Sequence, residues 1–255
     1  MITDTHAHLY LPQFDEDRES MLQRARQAGV SKIFLPNIDQ QSIEPMHRLC
    51  DANPAMCYPM MGLHPCSVTE NYLEVLDDMR KLFAKHQYIA VGETGIDMYW
   101  DKSTLSIQIE SFRIQLQWCI EMNLPVVIHA RDSFDEIFKV LDNMDRSVLR
   151  GVFHCFGGNV QQATRIMNYE TFMMGIGGVL TYEKSGLAEV LIDVPLQFLV
   201  LETDSPYLAP KPHRGKRNES AYTRIVAERL AAIKGIALEE VARITTENAR
   251  RMFEV

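Results

Sequence analysis

Two histidines stand one residue apart near the start of the chain, in Ile2-Thr3-Asp4-Thr5-His6-Ala7-His8, a run otherwise made of small or β-compatible residues. Side chains alternate across a strand, so Asp4, His6 and His8 are expected on one face. A metal ion needs its donors within about 2–2.3 Å, and two imidazoles on one rigid strand face meet that demand with no loop to order. The pair is half of a metal site. An H-x-H pair alone also arises by chance as two ordinary polar side chains, so the remaining donors must come from elsewhere.

They recur along the chain, each after a short β-compatible run: His64, Glu93, His129, His154, and Glu202 with Asp204. Five of the eight histidines fall at such strand ends, whereas His47 and His86 lie in helical stretches and His213 in a late loop. Taken singly, a strand-end histidine is more often a hydrogen-bonding group and a lone glutamate a solvated one. Taken together in one cavity, several unpaired carboxylates and imidazoles would be costly without a cation. Four histidines and two carboxylates suit two divalent ions bridged by one carboxylate.

The elements that must position these groups follow a βα rhythm. After the first strand, helical spacing over Asp15 to Val30, with Gly29 as its stop, leads to a strand at Lys32 to Asn37. The alternation continues with helix Gln40–Ala52, strand Met56–His64, helix Asn71–Lys85 and strand Tyr88–Glu93. Next come helix Thr104–Met122, stopped by Asn123, strand Leu124–His129, helix Phe134–Asn143 and strand Gly151–His154. The series closes with helix Val160–Asn168, strand Phe172–Ile176, helix Lys184–Ile192 and strand Phe198–Glu202. Eight such units predict an α/β fold, a (β/α)8 TIM barrel, with extra C-terminal helices Ala221–Lys234 and Leu238–Arg251 covering its outside. No repeat beyond this rhythm and no long linker intervenes, so residues 1–255 are expected to form one domain. Chemistry in such a barrel gathers at the C-terminal ends of the strands, where these donors fall.

Composition narrows the class. With 46% hydrophobic and 24% charged residues and no apolar run near the ~20 needed for a membrane span, a soluble protein is expected. No secretory leader is visible, because Asp4, His6 and His8 interrupt the N-terminus, and five cysteines without a C-x-x-C pair fit reduced thiols in a cytoplasmic setting. A net charge of −8 argues against a broad surface for duplex nucleic acid or anionic membrane, although bound cations would reverse the sign locally.

The motifs Asp4-Thr5-His6-Ala7-His8-Leu9, Gly62-Leu63-His64-Pro65, Gly92-Glu93-Thr94-Gly95-Ile96-Asp97, Val127-Ile128-His129-Ala130-Arg131-Asp132, His154-Cys155-Phe156 and Leu201-Glu202-Thr203-Asp204-Ser205-Pro206, the last followed by Pro212-His213-Arg214-Gly215-Lys216, resemble those of the TatD-type metal-dependent deoxyribonucleases, within the wider amidohydrolase-like barrels. The resemblance runs almost end to end. It implies that His6, His8, Glu93, His129, His154 and Asp204 are metal ligands, with Glu93 bridging and Asp204 also the general base. It further implies a 3′-to-5′ exonuclease. Cys66 stands where many relatives place a histidine and Ser220 where a proline is common; neither is an implied ligand.

The residue chemistry agrees with those roles. A carboxylate offers two oxygens to two cations, which favours Glu93 as bridge, and a carboxylate at the last strand's end, Asp204, can accept a proton from an activated water. Asp4 and Glu202 are expected to orient ligand imidazoles, and His64 to be either a weak ligand or a phosphate donor. Arg131, Arg214 and Lys216 are candidates to hold phosphate. Gly157-Gly158 and Gly175-x-Gly177-Gly178 serve close backbone approach or tight turns.

The expected function is two-metal hydrolysis of phosphodiester bonds in DNA, with RNA left open, at single-stranded ends. The ions are Mg, Mn or Zn, which mixed His and carboxylate sites do not distinguish. The alternative is a small-molecule amide, lactone or phosphotriester hydrolase on the same metals, since related barrels change substrate through their loops. A third class, a catalytically silent binding protein, is disfavoured by the complete set of ligands and base. No membrane partner is expected, and oligomeric state is open, a monomer being simplest.

Overall fold

Parallel strands alternating with helices build the molecule, and the computed structural model describes residues 1–145 and 147–255. The strands are β1 (Ile2–Asp4), β2 (Val30–Pro36), β3 (Cys57–Met60), β4 (Val91–Asp97), β5 (Val126–Arg131), β6 (Gly151–Phe153), β7 (Phe172–Ile176) and β8 (Leu199–Leu201). The helices are α1 (Arg18–Gln27), α2 (Gln40–Ala52), α3 (Tyr72–Leu82), α4 (Leu105–Met122), α5 (Phe134–Asp142), α6 (Val160–Met167), α7 (Leu187–Leu191), α8 (Thr223–Lys234) and α9 (Leu238–Phe253). Pairing runs β1-β2-β3 and β4-β5-β6-β7-β8, all parallel. Short bridges join the two sheets at both seams. Met61 N–H donates to Ala90 O (3.2 Å) and Gly92 N–H to Met61 O (3.0 Å), while Thr5 N–H donates to Leu201 O (2.9 Å) and Ala7 pairs with Ser205. The result is the (β/α)8 barrel that the βα rhythm predicts.

Local chemistry explains the better-predicted boundaries. At the start of α2, Asp39 accepts the Ser42 N–H while the Ser42 hydroxyl accepts the Asp39 N–H, so two orphan donors are satisfied reciprocally. Asn159 and Gln162 repeat the device at α6. Asn123 ends α4 in the left-handed region at φ 52°, which asparagine tolerates.

Other expectations are corrected. The first strand stops at Asp4 and continues as extended chain, because beyond it the pairing passes to Ser205. The third is shorter than Met56–His64. The fourth begins and ends later than Tyr88–Glu93, since pairing with β5 decides its register, placing Gly95 opposite His129 and Asp97 opposite Arg131. Gly95 is required there: a Cβ would lie 2.1 Å from His129 O. α7 loses its expected first turn because Gly186, at φ 68°, interrupts it.

Alternation along the strands sorts the core into two clusters. Ile33, Leu35, Val126, Ile128, Phe153, Phe172, Met174, Leu199 and Leu201 belong to the large cluster between strands and helices. The residues between them, Phe34, Val127, Val152, Met173 and Val200, join Met60 and Ala90 in a second cluster, the barrel interior. Ala249, Met252 and Phe253 enter that interior cluster, so the end of α9 plugs the barrel instead of only covering its outside. Two residues beyond Val127, Val152 and Val200 stand His129, His154 and Glu202, which the strand period therefore aims into the mouth.

Candidate metal centre

Both oxygens of the buried Glu93 face imidazoles. Glu93 Oε2 lies 3.1 Å from His6 Nε2 and 3.5 Å from His8 Nε2. Its Oε1 lies 2.8 Å from His129 Nδ1, 3.4 Å from His154 Nε2 and 3.5 Å from His64 Nε2. Asp204 Oδ1 completes the first set, 3.6 Å from His8 Nε2 and 3.9 Å from His6 Nε2. The fold thus brings together all six residues expected as ligands.

These spacings test whether the group of donors suits a cation. Two donors each ~2.1 Å from one ion sit roughly 3.0 Å apart at a right angle and 3.4 Å apart at a tetrahedral one. The His6–His8 Nε2 separation is 3.3 Å, and the other separations around Glu93 fall near the same range. Nitrogen and carboxylate oxygen on buried and half-buried side chains are a fitting donor set for divalent ions.

Hydrogen bonds to the far side of three rings, His8, His129 and His64, set their tautomers. Tyr10 donates its hydroxyl proton to Pro36 O at 2.5 Å, so its oxygen accepts from His8 Nδ1–H at 2.9 Å and Nε2 is the nitrogen turned toward the other donors. Asp97 Oδ2 accepts from His129 Nε2–H at 2.9 Å, which turns Nδ1 toward Glu93 Oε1 at 2.8 Å. His64 is arranged oppositely. Its Nδ1 accepts the Cys66 N–H at 3.1 Å, so in the neutral ring Nε2 carries the proton and can donate but not ligate. Burial holds the His64 pKa below its ordinary value and favours that neutral ring. Of its two expected roles, the donor is the one this tautomer permits.

Charge is distributed unevenly. Burial opposes ionisation of Glu93, but the surrounding His154, His6, His64 and His129 outweigh it and hold the carboxyl well below its ordinary range. Asp204 is likewise lowered, its burial overcome by His8 and the neighbouring imidazoles. His8 is pushed up to about 9 and His154 to about 10, each against burial, by Asp204 and Glu93 for the first and Glu202 and Glu93 for the second. His6 moves down through burial and the neighbouring His154, whose ring stacks on it at 3.5 Å.

Two supporting carboxylates behave differently from each other. Glu202 Oε1 lies 3.1 Å from His154 Nδ1 and accepts the Cys155 N–H at 2.5 Å, as its expected place beneath an imidazole requires. Gly175 makes room for it, since a Cβ there would lie 2.1 Å from Glu202 Oε2. Asp4 corrects the expectation, for it reaches no imidazole. It accepts the Thr203 N–H (2.9 Å) and hydroxyl (2.7 Å), and Asn218 Nδ2 donates to Thr203 O (2.7 Å). Asp4 therefore braces the segment that carries Asp204, whose own backbone is left-handed at φ 59° and whose N–H donates to His6 O.

Sequence reasoning missed Asp97 and Tyr10 as ring-orienting groups, although Asp97 closes the Gly-Glu-Thr-Gly-Ile-Asp motif in phase with Glu93. It also passed over Cys155, whose Sγ lies within 4.8 Å of donor atoms on His154 and Asp204. Arg131 lines the cavity of about 500 Å³ above the cluster, together with His8, His64, Trp100 and Tyr207. Arg214 instead packs its guanidinium 4.4 Å from the Tyr182 ring, and neither it nor Lys216 lines that cavity. A larger cavity of about 630 Å³, between α1 and α2, holds none of the cluster's donors. No helix among the described residues is long and apolar enough to cross a membrane.

Comparison with known proteins gives a consistent result. The sequence model of the family described as TatD related DNase matches residues 3–254. An uncharacterized metal-dependent hydrolase, YabD of Bacillus subtilis, is 37% identical over the full length of both chains. The 3′-5′ ssDNA/RNA exonuclease TatD of Pantoea ananatis is 31% identical over 98% of each. Among solved structures, the TatD homologue YjjV of Escherichia coli superposes with a TM-score of 0.92 at 30% identity, covering 100% of this chain and 98% of that one.

Proposed function

Because the chain belongs to the TatD related DNase family of metal-dependent hydrolases, we propose that it removes nucleotides from the 3′ ends of single-stranded DNA, and of RNA, with two divalent ions. The observation that carries this reading is Glu93, whose two oxygens face two different histidine sets. His6, His8, Glu93 and Asp204 would hold one ion, and Glu93, His129 and His154 the other. Bound there, the ions would supply the positive charge that acidifies a water and offsets charge developing on phosphate. Asp204, ionised and beside the donors, would be the group placed to take a proton from such a water. His64 Nε2–H and the Arg131 guanidinium donate to phosphate oxygens at the mouth, while Arg214 and Lys216 meet the strand farther out.

The deciding experiment offers metal-reconstituted protein a single-stranded oligonucleotide, a closed circular duplex and a neutral ester. Mononucleotides should appear from the oligonucleotide and the circle should stay intact. Faster hydrolysis of the ester than of DNA would favour a small-molecule hydrolase. Salt dependence adds a second measure. An acidic chain with two or three phosphate contacts should show a slope of log K against log salt of about −1.4 to −2.1, and Arg214→Ala should flatten it by roughly 0.7. An unchanged slope in the variant would remove Arg214 from the substrate track.

Protons should compete with the metals. His8 and His154, pushed up to about 9 and 10, are protonated at pH 7 in metal-free protein and must lose those protons to ligate. Metal uptake at pH 7 should release protons, and affinity should strengthen as pH rises. The metal-free fold should respond in the opposite sense. A histidine whose folded pKa is raised stabilises the fold below its unfolded value of 6.5 and loses that contribution as pH passes the folded value. Chelator-treated protein should therefore show a falling Tm between pH 6.5 and about 10. A Tm that climbs through this window would contradict the assignment.

A further inference from the structure

An exposed tryptophan stands at the mouth of the metal cavity. Trp100 is 71% exposed and Tyr99 53% exposed, immediately after β4, and Trp100 lines the same cavity as His8, Glu93 and Asp204. With Tyr207 and Leu208, also exposed and lining that cavity, they gather apolar surface at its mouth, and it is such gathering, not one exposed ring, that marks a binding surface. The backbone of Tyr99 and Trp100 is tied to the centre itself. Asp97 Oδ1 accepts the Tyr99 N–H at 2.9 Å and the Trp100 N–H at 3.2 Å, while its Oδ2 holds His129. The Arg131 guanidinium lies 3.8 Å from the Tyr99 ring and 5.6 Å from the Trp100 ring, and the two rings meet edge to face at 4.9 Å. Tyr99 is thus engaged by Arg131, whereas Trp100 presents its indole to solvent.

We propose that Trp100 is a stacking platform for a nucleobase of the single strand being cleaved, at the nucleotide next to the phosphate held by Arg131. This deepens the nuclease reading above and rests on it. The chemistry fits that occupant. Every base has a π-face, so an indole grips a strand without regard to sequence, and a guanidinium beside it supplies the charge that a phosphate needs. A small neutral ester offers neither partner. Because Asp97 fixes both the platform and His129, base and scissile phosphate would be held in one frame.

The test uses the full-length metal-loaded enzyme and a single-stranded oligonucleotide, with an otherwise identical strand bearing an abasic residue near its 3′ end. Trp100→Ala should raise KM for the normal strand by about 10- to 100-fold, with a smaller change in kcat. The abasic strand should show the same rise in wild type and little further rise in the variant, because the same contact has been removed twice. Trp100→Phe should recover part of the loss. Binding is read independently through tryptophan emission in the metal-loaded protein, with a strand whose 3′ linkages cannot be hydrolysed. The chain has two tryptophans and Trp118 is buried, so single-stranded DNA should quench the Trp100 signal, and the Trp100→Phe protein should lose the response. Efficient cleavage with an unchanged KM in Trp100→Ala would overturn the platform while leaving the nuclease reading intact. Neither binding nor cleavage of DNA by wild type would overturn both.

Discussion

Asp204→Asn should lower turnover on single-stranded DNA by about 10²–10⁴-fold and leave the fold in place. The asparagine amide keeps the shape of the carboxylate but cannot accept a proton. The backbone that carries it is secured by other groups: its N–H donates to His6 O, and Thr203 beside it is held by Asp4 and Asn218. In the native protein the neighbouring imidazoles hold the Asp204 carboxyl below its usual range, so it is charged at neutral pH and ready to act. The variant should be compared at matched metal content, because Asp204 also stands 3.6 Å from His8 Nε2 among the donors. Near-normal turnover with a full complement of metal would show that another group takes the proton.

Glu93→Gln should have an effect at least as large, for a different reason. Native protein should bind about two equivalents of divalent metal per chain, and the variant at most one, because an uncharged amide cannot balance two cations at once. Loss of the second charge near the reacting phosphate removes several kcal/mol of stabilisation, equivalent to about 10³-fold or more in rate. The imidazoles register the change too. Glu93 is among the groups that raise the pKa of His8, His129 and His154, so the variant's metal-free form should give up protons from these rings at lower pH than native protein does. Titration of the histidine C–H resonances by NMR would follow this directly. A native preparation that reaches full activity with one tightly held ion and gains nothing from a second would defeat the two-ion reading.

The spacing of donors was legible in the primary structure because it follows from local rules. The period of two along a strand places His129 and His154 two residues beyond interior valines, and the βα rhythm sends each strand end to one mouth. The α2 boundaries and the Asn123 stop were legible for the same reason, since a cap or a left-handed turn is decided by a few adjacent residues. How each donor is oriented depends on partners far away in the chain. Asp97 orients His129 across 32 residues, and Asp4 supports Thr203 across 199, so its carboxylate braces the segment that carries Asp204 instead of a ring. The tautomer of His64 depends on one backbone N–H, and the register of β4 on its pairing with β5. The end of α9 enters the barrel because apolar groups such as Phe34 and Met60 leave an interior to be filled there, a demand that exists only once the strands have assembled around it.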